Sequence, residues 1–249
     1  MLSAVPGPVE GLSYLPDFIS IADEAHLLSK IEEIGGVELD SAAGQRIYRD
    51  RGTCAGWKDL NGRRSMYFGG TILPRTSTLV PVAMPPFMQA SYPHILDKIA
   101  QLGLYDTCKT SRPNHVLLNE YLPGQGIAAH EDGDAYHPVV CTLSLGSGTI
   151  LELYEYEGQA TEEARTILPD PIMSIYAERR SLLVLSGAAY TACLHGIAAR
   201  QVDSAEQIQR CANVRAGLTS SALPASQDVD RRRRVSLTMR HVPKVKRLL

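Results

Sequence analysis

Arg234-Val235-Ser236-Leu237-Thr238-Met239-Arg240 alternates without a break between polar and apolar side chains. Successive side chains of a β-strand point to opposite faces, so Arg234, Ser236, Thr238 and Arg240 share one face. Val235, Leu237 and Met239 share the other. Turning two arginines and two hydroxyls into a protein interior is costly unless an anion meets them there. Arginine pairs bidentately with carboxylates, so a dicarboxylate ligand would satisfy such a strand. In the basic run Arg231–Arg234, three arginines read as a solvated segment and Arg234 as an inward contact.

Upstream, Asn119-Glu120-Tyr121 places Asn119 and Tyr121 on one face, again with donors for an anionic or carbonyl group. Strand-like runs recur at His115–Tyr121, Val139–Leu145, Thr149–Tyr156, Ser181–Leu185, Leu194–Ile197 and Arg234–His241, punctuated by Pro123-Gly124, Gly146–Gly148 and Gly187. Many short strands with few helices among them predict a closed or double-sheet β architecture carrying helices from the N-terminal half. Ser20–Gly36 predicts a helix: Ser20 can cap with Asp23, and Leu27, Leu28, Ile31 and Ile34 form an apolar stripe. Residues 45–82 read as hairpins and loops. A second helix is expected within Pro86–Leu102, where Ile95, Leu96, Ile99 and Leu102 fall at helical spacing. Residues 200–231, rich in Ala, Ser, Gln and Asp without clear periodicity, read as an inserted, partly mobile surface loop.

Between these runs, Ala129-His130-Glu131-Asp132-Gly133 sets a histidine and a carboxylate two positions apart. In extended chain both reach one side, and so can bind one ion. His195 follows at the end of a β run. Two histidines and one carboxylate form the facial triad that leaves positions open on iron(II) for a co-substrate and oxygen, whereas zinc has no redox chemistry. H-x-D alone occurs often by chance, and His115, His137 and His241 are rival ligands on spacing alone.

The whole chain bounds these readings. Its 249 residues are 44% hydrophobic and 21% charged, enough for a substantial core. A net charge of -2 gives no general pull toward nucleic acid, so any phosphate-binding surface must be local. No apolar run approaches the roughly 18 residues that span a bilayer, and the first residues do not resemble a secretory signal. Five scattered cysteines without a C-x-x-C pair suit reduced thiols, so cytoplasm and nucleus are the expected compartments.

N-x-Y, H-x-D, a distant histidine and R-x-x-x-x-x-R in a strand, in that order, resemble the AlkB family of Fe(II)/2-oxoglutarate-dependent dioxygenases. Asn114–Gly133, Ser181–Ala198 and Arg234–Val242 look like the subfamily of the sixth AlkB homologue. Weaker similarity reaches back through Trp57–Gly70, so the resemblance spans nearly all of the chain outside 157–172 and 200–231. It implies a mainly β protein with flanking helices. The core would be a double-stranded β-helix, or jelly roll, over residues 111–249, with helices and substrate-lid hairpins of an α/β extension over 1–110. It implies Fe(II) held by His130, Asp132 and His195, with O2 as co-reactant. It also implies 2-oxoglutarate held by Asn119, Tyr121, Arg234 and Ser236, with Arg240 beside its iron-chelating end. One position departs: bacterial AlkB carries asparagine where this chain has Ser236, whose shorter side chain still offers a hydrogen bond. The implied reaction oxidises 2-oxoglutarate to succinate and carbon dioxide and hydroxylates a C–H bond of a second substrate.

That substrate is expected to be RNA or DNA carrying an N-methyl group. Asp134 falls where bacterial AlkB has an acidic residue contacting the methylated base, though a turn residue is the plainer reading. Between Arg46 and Tyr67, cations alternate with rings, and Arg63, Arg64 and Tyr67 are candidate substrate contacts. A basic hairpin face over core aromatics would look the same. Two other readings stand: a nucleic-acid binder with little turnover, and a dioxygenase acting on a protein or lipid.

Overall fold

A computed structural model describes residues 1–35, 37–39, 46–48, 56–157, 166–220, 223 and 226–246. Its centre is the strand Arg234–Arg240, flanked on both sides in an antiparallel sheet of eight. On one side lie Val139–Leu145, Leu182–Ser186, Leu12–Leu15 and Ser3–Ala4; on the other His115–Tyr121, Arg63–Phe68 and Lys58–Leu60. A second sheet orders Ile127–His130, Leu194–Ile197, Thr149–Tyr154 and Met173–Ala177. The two sheets face each other as a jelly roll. Val140, Leu183 and Leu185 of the first pack with Leu151, Leu153 and Ile175 of the second.

The period-2 pattern decides which side of the large sheet is which. Val235, Leu237 and Met239, with Val116, Leu118 and Met66 of the neighbouring strands, form an apolar core on its outer face. Against that face lies the helix Ile21–Gly35, with Leu27 and Ile31 fully buried. Ser20 caps it as expected: its hydroxyl accepts from the Asp23 amide at 3.0 Å and the Asp23 carboxylate accepts from the Ser20 amide at 3.1 Å. Such a cap contributes about 1 kcal/mol. Glu24, buried on the same helix, accepts from the Gly146 amide and from Arg179, tying the helix to the sheet.

The N-terminal residues are woven into the roll rather than laid upon it, since strands at 3–4, 12–15, 58–60 and 63–68 hydrogen-bond within the large sheet. The expected hairpins are present as Lys58–Leu60 with Arg63–Phe68 and Gly70–Leu73 with Thr78–Pro81. Instead of one helix within Pro86–Leu102 there are two short ones, Pro86–Gln89 and Ile95–Ala100. Pro93 lies between them, where it removes an amide donor and disfavours helix at Tyr92.

The segment 200–231 is not the irregular loop expected. It holds the helices Ala205–Arg210 and Ala212–Arg215 and a ladder of Val202–Asp203 with Val229–Asp230. Ser204 and Gln207 close a capping box, Ile208 and Cys211 are buried, and Arg231 pairs with Asp203 at 2.7 Å. Arg231 is thereby a buried structural cation, not a solvated one. Cys108, Cys141, Cys193 and Cys211 are free thiols, and no helix among the described residues is long and apolar enough to cross a membrane.

Candidate metal and co-substrate site

His130 and His195 are direct cross-strand partners on the antiparallel pair Ile127–His130 and Leu194–Ile197. Their ring centroids lie 4.5 Å apart. A shift of register between Ile127 and His130 marks a bulge, a device that re-aims side chains at such positions. Past the strand end, Asp132 turns back toward the same point. One ligand atom from each of His130, Asp132 and His195 lies within 4.8 Å of the others. His130 Nδ1 is 2.9 Å from the Ala128 carbonyl, which fixes the ring and leaves Nε2 for an ion. Asp132 Oδ1 accepts from Arg240 Nη2, while its buried Oδ2 has no partner among the described residues. Two nitrogens and one unpaired carboxylate oxygen on one side are a donor set that fits iron(II). The rival histidines lie elsewhere: His241 Nδ1 sits 2.8 Å from the Arg112 carbonyl, His137 packs on Tyr105, and His115 lies between two tyrosine rings.

These three side chains border a cavity of about 240 Å³ between the sheets. Arg234, Ser236, Thr238 and Arg240 all line it, as the alternation requires. The register sets Tyr121 opposite Arg234 and Asn119 opposite Ser236, so the N-x-Y pair lines the same cavity. Ser144 faces Ser236 from the other side and accepts from Arg234 Nη2 at 2.9 Å. Nε and Nη1 of Arg234 are buried without a partner among the described residues. Burial, with the nearby Arg231 charge adding to it, pulls Arg234 down to about 10. A buried guanidinium with donors to spare suits a carboxylate, and it borders the same cavity as His130, Asp132 and His195. Arg240 differs. Burial works against its charge, but Asp132 and Tyr136 outweigh that and raise its pKa.

The tentative substrate contacts separate. Arg63 lines the cavity and donates from Nε to Asn119 at 3.2 Å, and Tyr67, 42% exposed, stands on the rim. Arg64 cannot contact substrate. One residue on in the strand, it points to the opposite face, where it is 3% exposed, pairs with Glu120 and covers the Trp57 ring at 4.5 Å. Asp134 is exposed and is not among the residues lining the cavity. Of the cations between Arg46 and Tyr67, Arg49 and Arg51 lie outside the described residues.

Tyr136 and Thr142 also border the cavity and were not foreseen. Thr142 had a signal, its alternation within Val139–Leu145; Tyr136 sits in irregular chain and had none. Tyr136 lies under Arg240, with the guanidinium carbon 4.8 Å from its ring centroid. Beside it, burial and then the Arg240 charge pull His115 down to about 4, so its ring is neutral at physiological pH.

Comparison with known proteins agrees with this geometry. The profile of the 2OG-Fe(II) oxygenase superfamily matches residues 11–240. A Danio rerio protein described as probable RNA/DNA demethylase ALKBH6 is 36% identical over 238 residues, covering 93% of this chain and 86% of the relative. The tRNA (carboxymethyluridine(34)-5-O)-methyltransferase ALKBH8 of Macaca fascicularis is 31% identical over 93% of this chain, which spans only 30% of that protein. The solved structure of OsALKBH1 superposes with a TM-score of 0.52 at 15% identity over 97% of this chain and all of that one, a likeness of fold. The chain therefore belongs to the 2OG-Fe(II) oxygenase superfamily and, within it, to the AlkB family of dioxygenases, which work with Fe(II), 2-oxoglutarate and O2.

Proposed function

We propose that this chain removes N-methyl groups from RNA or DNA, with His130, Asp132 and His195 holding the iron and Arg234 the distal carboxylate of 2-oxoglutarate. The observation that carries the reading is the rim. Arg63 and Tyr67, a cation and an exposed ring, stand at the edge of the cavity that holds the histidine pair. A flipped nucleotide presents the matching chemistry, a flat base and a phosphate. The name of the Danio rerio relative, a probable RNA/DNA demethylase, points the same way.

When bound, iron and 2-oxoglutarate supply the oxidising power that hydroxylates a methyl carbon; the protein supplies orientation and exclusion of water. Ser144 fixes the Arg234 guanidinium before the co-substrate arrives, so less order is lost on binding. Asn119, Tyr121 and Ser236 border the same space and fix the dicarboxylate along the sheet. Arg240 holds one oxygen of Asp132 and leaves the other for the metal. Leu151, Leu185 and Ile197 close the cavity with apolar surface.

The test is succinate release from the iron-loaded protein with 2-oxoglutarate, with and without single-stranded oligonucleotides bearing methylated bases. Stimulation by methylated but not unmodified oligonucleotides, with formaldehyde released in step, is the expected result. Tight oligonucleotide binding without stimulation would make the chain a binder. Stimulation only by peptides or lipids would move the substrate class.

A further inference from the structure

A second cavity adjoins the first. It measures about 400 Å³ and shares Tyr67 and Tyr136 with the iron cavity, so these two side chains stand between the two spaces. Its inner wall is a stack of three rings. His115 lies 5.4 Å from Tyr67 at 25° and 5.9 Å from Tyr136 at 29°. The opposite walls are apolar or bare main chain, from Ile72, Val82 and Gly69-Gly70. Neither glycine can be replaced without strain: an added Cβ would fall 2.2 Å from the Asn114 carbonyl oxygen at Gly69 and 2.1 Å from that of Val80 at Gly70. Lys58, exposed, stands among the lining residues and supplies a cation.

We infer that this second cavity takes the nucleobase next to the target base in a single-stranded nucleic acid, stacked against the Tyr67–His115–Tyr136 rings, with Lys58 toward its phosphate. The inference rests on the nucleic-acid reading above and adds a second recognised base to it. Flat rings in a slot with an adjacent cation match a base and its phosphate. The two shared tyrosines make the arrangement continuous: a chain with one base in the iron cavity has its neighbour on the far side of the same rings.

The test is a cycle of protein and ligand changes, read as binding to the protein loaded with manganese(II) and 2-oxoglutarate, which does not turn over. The probes are a short single-stranded DNA with one central methylated adenine, and two versions with an abasic nucleotide on its 5′ or its 3′ side. Removing the neighbouring base on one side should weaken binding to the parent protein roughly fivefold to a hundredfold, the range of one base stacked on an aromatic ring. Tyr67→Ala removes the exposed ring and Ile72→Trp fills the cavity from its far wall. In both variants the intact DNA should bind more weakly, and the abasic change should cost no more than about twofold further. Tyr67→Phe keeps the ring and should keep the parent's abasic penalty. An unchanged 2-oxoglutarate affinity in Ile72→Trp confirms that the fold is intact. If the abasic penalty is absent in the parent, or equally large in Tyr67→Ala and Ile72→Trp, the neighbouring base does not lie here, while methylated-DNA binding leaves the demethylase reading standing. If the parent binds none of the three DNAs, this inference falls, while the demethylase reading, which also covers RNA and other methylated bases, is decided by the succinate-release test.

Discussion

Arg240 and Asp132 are paired across the site, the guanidinium donating to one carboxylate oxygen while the other is buried with no partner among the described residues. The pair joins the last strand of the large sheet to the loop that follows His130, and it selects which oxygen is left for a metal. Arg240→Ala removes that orientation. Losing a nearby cation would by itself favour metal binding, but loss of such a supporting hydrogen bond typically costs roughly 10- to 100-fold in metal affinity. Anaerobic titration of iron(II) should therefore show weaker binding; tighter binding would mean that charge, not orientation, is what Arg240 contributes.

Arg234 is a buried cation that makes no ion pair among the described residues, so its removal should act on ligand binding more than on the empty fold. Arg234→Met should leave the melting temperature of the ligand-free protein unchanged or higher. In the parent, 2-oxoglutarate at about a hundred times its Kd, with manganese(II), should add about 2.7 kcal/mol and raise Tm by roughly 5–10 °C. That shift should vanish in the variant. A lower Tm without ligand and a preserved shift would make Arg234 a structural residue.

Arg63 and Arg64, adjacent in sequence, should separate in their effects. Arg64→Ala breaks a buried pair and should cost about 3 kcal/mol, the low end for such a break because Arg233 still pairs with Glu120. Arg63→Ala should leave stability nearly unchanged and reduce the salt slope of oligonucleotide binding by about 0.7 if it meets one phosphate of a single strand. Urea melts and binding at several salt concentrations check both. Equal effects of the two would contradict the strand's alternation.

In metal-free protein, burial pulls both His115 and His195 down to about 4. Unfolded histidine takes up its proton near 6.5. Between those values the unfolded chain binds more protons than the folded one, so stability falls as pH drops from about 6.5 toward 4. His137 is lowered too, by burial and by the neighbouring His241. His115→Phe keeps a ring in the stack and removes one of these three groups, so the loss of stability between pH 6.5 and 4.5, measured by urea unfolding, should be smaller by about a third or more. An unchanged loss would place the His115 proton elsewhere.

The strand Arg234–Arg240 was legible to the residue because polar and apolar positions alternate without exception and both sets are buried, one by a core and one by a cavity. His115–Tyr121 (HVLLNEY) does not alternate and was legible instead as a short, largely apolar run ended by a Pro-Gly turn. Ile127–His130 was not seen as a strand, since a Pro-Gly turn and small residues precede the histidine. Met173–Ala177 was missed because MSIYA carries no clean period and nearby prolines suggest loop. The Ser204–Gln207 cap was readable, but the composition around it hid the two helices. Spacing alone leaves His115, His137 and His241 as rivals to His195; the order of motifs in the family resemblance selects His195, and the cross-strand pairing sets it beside His130. Arg64 was misassigned by reading a cluster of cations instead of a strand, in which neighbours face opposite ways.

The most direct test of iron and dicarboxylate sharing one cavity is calorimetric titration of 2-oxoglutarate into anaerobic protein with and without iron(II), in the parent and in Asp132→Ala. The expected result is one molecule bound per chain, markedly tighter with iron than without, and no effect of iron in the variant. Binding that is indifferent to iron in the parent, or that keeps its dependence on iron in Asp132→Ala, would contradict it.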